Sequence, residues 1–168
     1  MKVLIVGATG VEGSLVTKKL LAKGLAVRTL TRTPAKAEPL RQLGAEVVQG
    51  DLRDVGSLRR ACTGVDKVLA AAHSLLGRGA TASSYVDQLG HQQLIDAAEA
   101  AGIQHFVYTS IQGVTPLSPV PFIRMKYLVE QYLQASALPY TILRPSAFME
   151  WHAHEFIGKP LLEQGKVT

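Results

Sequence analysis

Lys2-Val3-Leu4-Ile5-Val6 runs directly into Gly7-Ala8-Thr9-Gly10-Val11-Glu12-Gly13, and the reading of this stretch decides the fold. The first five residues are aliphatic and β-branched, the composition of a buried strand. Beyond the glycines, apolar side chains recur at Val11, Leu15, Val16 and Leu20, the spacing of one helical face. Gly24 stands where a helix C-terminus favours glycine, so the helix is expected over Val11–Lys23. Each glycine of the turn then has a physical reason. Gly7 permits a tight turn, Gly10 lets a pyrophosphate approach the backbone, and Gly13 lets the helix pack close to the sheet. The helix N-terminus offers unpaired N–H groups and partial positive charge to phosphates, with Thr9 and Val11 beside them. A dinucleotide-binding turn is the expectation.

The remaining chain repeats the alternation. Strand patterns occupy Ala26–Thr31, Glu46–Gln49, Lys67–Ala72, His105–Thr109 and Tyr140–Leu143. Helical patterns fill the intervals: Ala35–Leu43, a segment N-capped by Asp54 and running through Cys62, Ser83–Ala101, and Val120–Ser136. Such alternation implies βαβ units with right-handed crossovers. The expected class is α/β, a doubly wound parallel sheet with helices on both faces. Ligands in that architecture sit beyond the carboxyl ends of the strands.

The residues after each strand therefore discriminate between ligands. An NAD site places a carboxylate about 20 residues after the glycine turn, where it binds the ribose 2′-OH. This chain has Thr31-Arg32-Thr33-Pro34 there, without an acid. Arg32 presents a planar fork suited to a 2′-phosphate, and Lys36 supplies a second cation, which points to NADP(H). Gly50-Asp51-Leu52 follows the third strand, where Asp51 can accept from the adenine amine; a turn or cap role fits its spacing equally. Ala70-Ala71-Ala72-His73 follows the fourth. Small residues such as Ala72 let a dinucleotide cross the strand ends, and His73 reads as a loop histidine.

Composition removes several function classes. The chain has 168 residues, room for one domain, and no apolar run long enough for a membrane span. Its opening is too short for a secretory signal and is expected to be structural. One cysteine, Cys62, permits no internal disulfide and reads as a packing residue, so a reducing cytoplasm is expected. The net charge of +5 is spread along the chain, with pairs such as Lys18-Lys19 and Arg59-Arg60, and aromatics make up 6%. That pattern excludes nucleic acid, which calls for concentrated charge interleaved with rings. Trp151-His152-Ala153-His154-Glu155 offers two histidines without a third strong ligand, so no metal is expected. Ser74, Ser83 and Ser84 lack nucleophile-elbow glycines, which removes hydrolase chemistry.

Taken together, the glycine turn, Thr31-Arg32-Thr33-Pro34, Gly50-Asp51-Leu52, Phe106-Val107-Tyr108-Thr109-Ser110 and Thr141-Ile142-Leu143-Arg144-Pro145-Ser146-Ala147-Phe148-Met149-Glu150 resemble the NmrA-like, atypical branch of the short-chain dehydrogenase/reductase superfamily. The resemblance spans nearly the whole chain in order. It implies a Rossmann fold binding NADP(H). It also implies either NADPH-dependent reduction of quinones or similar conjugated acceptors, or a non-catalytic role in sensing the cofactor's redox state. A structural or assembly factor is a third reading.

Two departures from the family pattern matter. Typical members carry Tyr-x-x-x-Lys, in which the Tyr is the general acid/base. Lys126 fits the Lys position, but Phe122 stands where the Tyr belongs, and no other tyrosine has a lysine four residues on. The resemblance leaves Ser110 to orient a carbonyl, and Lys126 to hold the cofactor ribose or to act as the acid/base itself. Members of the branch also normally continue into a further substrate-binding part. Residues 1–150 are accordingly expected to form the NADP(H)-binding domain, and 151–168 the start of a substrate-side segment that is cut short. The expected partner is a small-molecule electron acceptor or a regulatory protein.

Overall fold

The computed structural model describes residues 1–74, 84–146, 148 and 153–164. Six parallel strands form one sheet: β1 (Lys2–Val6), β2 (Ala26–Thr31), β3 (Glu46–Gln49), β4 (Lys67–Ala70), β5 (His105–Thr109) and β6 (Tyr140–Leu143). Their order is β3-β2-β1-β4-β5-β6, a Rossmann-type sheet as expected. The chain moves outward from β1 in one direction, then returns to pair β4 on the other side. A crevice opens at this reversal, between the carboxyl ends of β1 and β4, where Val6 registers with Ala70.

The helices are α1 (Val11–Ala22), α2 (Glu38–Gln42), α3 (Val55–Cys62), α4 (His91–Ala100), α5 (Pro121–Ala135) and α6 (Lys159–Gln164). One face of the sheet buries Leu4, Val68 and Phe106 against Leu58 of α3, Leu94 and Ile95 of α4, and Val129 and Leu133 of α5. The other face buries Val3, Ile5, Val27 and Leu69 with Leu40 of α2, and Val16 and Leu20 of α1 pack beside them. Both faces are covered, which is why the strands read as continuous apolar runs. Asp54 caps α3 as expected, its carboxylate accepting from Gly56 N–H at 2.9 Å. Cys62 is fully buried at the end of that helix, and burial pushes its thiol up to about 11. It is an inert packing residue.

Five elements differ from the sequence expectation, one of them the helix expected over Val120–Ser136, which runs Pro121–Ala135 with Val120 and Ser136 as its caps. The first helix ends at Ala22, with Lys23 as its C-cap. The segment 35–43 is not one helix but a 3-10 turn (Pro34–Ala37) leading into α2, because Pro39 has no N–H for a continuous ladder. Strand β4 stops at Ala70 rather than Ala72, since its neighbour β1 ends at Val6 and Gly7 turns across Ala71 and Ala72. The helix expected over 83–101 is α-helical only from His91. A wider π-type turn occupies Ser84–Gly90, and Ser83 lies outside the described residues. No described helix is long and apolar enough to cross a membrane.

Candidate cofactor-binding site

The glycine turn is built by steric necessity. Gly7 has φ +95°, and a Cβ there would stand 2.6 Å from the Ala72 nitrogen. A Cβ on Gly13 would overlap the Gly7 carbonyl oxygen, so α1 touches the turn backbone to backbone. Gly10 N–H donates to Gly7 O at 3.0 Å, and Gly10 O accepts from Ser14 N–H at 3.0 Å. No side chain caps α1 at Gly10. Its first-turn N–H groups therefore have no intrahelical acceptor and face outward with the positive end of the dipole. Gly10 and Thr9 are exposed there, as is Val11.

A cleft of about 310 Å³ runs over this turn and across the strand ends. Gly7, Thr9 and Gly10 form its floor; Arg32, Lys36, Asp51 and Leu52 line one end, and Ala72, His73 and Val86 the other. Seven of the expected cofactor-contacting residues besides Gly7 thus meet in one cavity. Val11 and Gly13 do not line it. Gly13 acts by setting the helix position.

At the β2 end, Arg32 and Lys36 are exposed on the cleft rim, and neither side chain makes a hydrogen bond or ion pair among the described residues. Asp51 is held differently. Arg53 grips its carboxylate through Nε at 2.9 Å and a second guanidinium nitrogen at 2.5 Å, and Arg53 N–H adds a bond of 2.9 Å. These hydrogen bonds hold the Asp51 carboxyl below the usual carboxylate range, and the charge of Arg32 adds to the effect. Asp51 N–H also donates to Ser57 Oγ at 3.1 Å. The turn role and the cleft-lining position therefore coexist in this residue. Among the described residues, no carboxylate takes the position at the end of β2 that a ribose diol would require.

The other end is a buried polar cluster behind the cleft. Lys126 on α5 is 4% exposed and donates to Thr109 O at 3.0 Å. Its ammonium lies 4.8 Å from the Tyr108 ring centroid and 5.5 Å from that of Phe122. Desolvation pulls Lys126 down to about 8, against the opposing pull of Asp87, Glu12 and Glu130. Ser110 is buried after β5; its N–H donates to Leu143 O at 2.7 Å, while its hydroxyl has no partner among the described residues. Neither Ser110 nor Lys126 lines the cleft itself. Phe122 meets His73 edge-on, with ring centroids 6.4 Å apart, which connects this cluster to the cleft end.

Sequence reasoning missed several members of the cluster. Asp87 is fully buried and accepts from Ser74 N–H at 3.0 Å on both oxygens, tying the π-type turn to the exit of β4. His91 is fully buried against Tyr108, with Nδ1 3.0 Å from Val86 O; desolvation pulls it down to about 3, so its ring is neutral. Glu12 accepts from Thr109 Oγ1 at 2.8 Å. The available signal was polar residues on otherwise buried helix faces. The Leu143-Arg144-Pro145 run also gains a reason, because Arg144 forms a two-pronged ion pair with the buried Glu130 of α5 at 3.0 and 2.5 Å.

Among the described residues, no three His, Cys, Asp or Glu side chains cluster as a metal site. His154 is exposed, while Trp151 and His152 lie outside the described residues, as do Ala147, Met149 and Glu150.

A sequence profile of NAD(P)H-binding domains matches residues 7–166. The photosystem II assembly factor Ycf39 of Trieres chinensis is 36% identical over 97% of this chain and 50% of its own length. The NAD(P)H azoreductase of Xenophilus azovorans is 35% identical over 88% of this chain and 49% of its own. The structure of the NADPH-dependent quinone oxidoreductase of Escherichia coli complexed with NADPH superposes with a TM-score of 0.76, at 29% identity, covering 95% of this chain and 53% of that one. The chain spans about half the length of these relatives. A glycine turn of this geometry, a cleft over the sheet reversal and a profile covering nearly all residues agree: the chain belongs to the NAD(P)H-binding family, within the atypical short-chain dehydrogenase/reductase superfamily.

Proposed function

We propose that this chain forms the NADP(H)-binding part of a reductase that passes hydride from NADPH to a quinone or a similar conjugated acceptor. The observation that carries the reading is the pairing of two cleft ends. Arg32 and Lys36 offer exposed cations where a 2′-phosphate would lie, and behind the other end, against His73, Phe122 occupies the position of an acid. Conjugated acceptors fit that second end, since hydride addition leaves a delocalised, weakly basic oxyanion that forms without a dedicated acid and then takes a proton from water or from Lys126.

The roles of the residues follow. The first-turn N–H groups of α1, with Gly7, Thr9, Gly10 and Val11, hold the pyrophosphate, and Gly13 sets the approach of the helix. Asp51 and Leu52 bound the adenine, and Ala72 lets the dinucleotide pass over β4. When bound, NADPH supplies the hydride. Lys126 holds the nicotinamide ribose or delivers the proton, and burial keeps its ammonium acidic enough for that near neutral pH. Ser110 orients the acceptor oxygen with its unpaired hydroxyl. Residues 1–150 constitute the cofactor domain, and 151–168 begin the substrate side; Ile157, Leu161 and Leu162 are exposed there. A reducing compartment, the cytoplasm by default, suits the buried free thiol of Cys62.

A second reading is a non-catalytic NADP(H)-binding sensor or assembly protein. Phe122 favours it as well, and one of the most similar relatives is named an assembly factor. NADPH oxidation with a panel of small quinones, beside titrations with NADPH, NADP+ and NADH, separates the two. Turnover supports the reductase. Tight NADPH binding without turnover overturns it in favour of the sensor, and preference for NADH overturns the assignment of Arg32.

A further inference from the structure

We propose that Glu12 sets the relative affinity of the site for oxidised and reduced cofactor, its carboxylate offsetting the positive charge that the nicotinamide ring carries only in the oxidised form. The inference rests on the NADP(H) reading above and specifies how that site tells the two redox states apart.

The placement follows from topology. A dinucleotide lying across the sheet reversal has its adenosine end at β2 and β3, where Arg32 and Asp51 stand. Its nicotinamide end then lies beyond β4 and β5. Glu12 belongs to the first turn of α1, the phosphate-binding turn, yet its side chain reaches across to the end of β5, where Oε1 accepts from Thr109 Oγ1 at 2.8 Å. The carbonyl of the same Thr109 accepts from the Lys126 ammonium at 3.0 Å. Thr109 thus holds an anion through its hydroxyl and a cation through its carbonyl. Of the nearby carboxylates, Glu130 is paired with Arg144, whereas Asp87 accepts from the neutral Ser74 N–H and keeps its charge on the buried side of Lys126.

A glutamate in a first helical turn is favoured by the helix dipole alone. That role requires no reach to another strand. It is also indifferent to the redox state of a ligand. The buried Lys126 cation by itself disfavours a pyridinium ring beside it, and with Phe122 in place of an ionisable tyrosine no phenolate compensates. Asp87 offsets part of that cation from the buried side, and Glu12 adds a negative charge at the end of β5, on the first turn of α1. NADP+ and NADPH share their phosphates and riboses, so repulsion between Glu12 and the pyrophosphate cancels in the ratio of their affinities. Only the ring charge differs. A single charge several ångströms away in a partly buried site changes that ratio by about fivefold or more.

The test compares NADPH binding, followed by cofactor fluorescence, with its displacement by NADP+, in the full chain and in Glu12→Gln. Gln keeps an oxygen for the Thr109 hydroxyl and removes the charge. The expected result is a ratio of affinities shifted about fivefold toward NADPH. Thr109→Val, which frees the carboxylate but leaves the charge, is expected to shift the ratio in the same direction by less, and it stands as the second variant if Glu12→Gln does not fold. An unchanged ratio in folded variants overturns the role of Glu12 while leaving the cofactor reading intact. Failure of the unmodified chain to bind either form overturns the cofactor reading and this inference with it.

Discussion

The Lys126 ammonium lies 5.5 Å from the centre of the Phe122 ring, one helical turn before it on α5, and donates to Thr109 O at 3.0 Å. The pair retains the buried cation of the family's Tyr-x-x-x-Lys arrangement and replaces the proton donor with a hydrocarbon.

Replacing Arg32 with Ala removes the fork on the cleft rim. We expect NADPH affinity to fall by about 1.5–3 kcal/mol, the worth of a hydrogen bond to a charged group, with NADH affinity unchanged. Parallel titrations with the two cofactors check this, and equal losses for both would show that Arg32 does not read the 2′-phosphate.

Gly13→Ala places a methyl group into the Gly7 carbonyl, which is backbone and cannot swing aside. We expect a loss of about 1–3 kcal/mol in urea unfolding, the usual cost of overpacking, together with weaker cofactor binding as α1 is displaced from the turn. Gly24→Ala tests a glycine whose surroundings are open, with no atom near an added Cβ. Its cost comes from φ +73° alone, and cofactor binding is expected to survive.

Lys126 is pulled down to about 8 by burial, from an ordinary 10.5. Between these values the unfolded chain binds more protons than the folded one, so folding stability rises with pH across that window and the penalty is complete below it. Lys126→Met carries no such penalty. Denaturation of both proteins from pH 7 to 10.5 is expected to show the unmodified chain gaining on the variant as pH rises, and parallel curves would mean that the ammonium is better solvated than its burial implies.

His91 gives the acid-side counterpart. Its neutral ring is buried, and desolvation pulls it down to about 3 from an ordinary 6.5. The unfolded state takes up a proton that the folded state refuses, so stability falls as pH drops from 6.5 toward 3. His91→Phe is expected to flatten this part of the acid-denaturation profile, measured against the unmodified chain.

The fold was legible from the first thirteen residues onward, because a buried strand, a glycine turn and an amphipathic helix each leave a local signature, and their repetition permits few topologies. The loops that line the cleft were legible for the same reason. Gly7, Arg32, Asp51 and Ala72 each stand within two residues of a strand's carboxyl end, and a parallel sheet brings all those ends to one edge. Local pattern could not reveal the early end of β4, which depends on a strand distant in sequence, whereas the break before α2 is a local consequence of the missing N–H of Pro39.

Tertiary structure alone decided the polar cluster behind the cleft. Glu12 and Thr109 are separated by 97 positions and Lys126 and Thr109 by 17, yet they meet at one strand end. Asp87 and His91 lie in a stretch whose sequence pattern reads only as helical, and packing encloses both. The sequence by itself determined the sheet, the phosphate turn and the absence of an acid at 122, because these depend on residue type at a fixed place along the chain. Which side chains lose their water, and whose charge they then face, depends on packing between distant segments, and that only the folded chain decides.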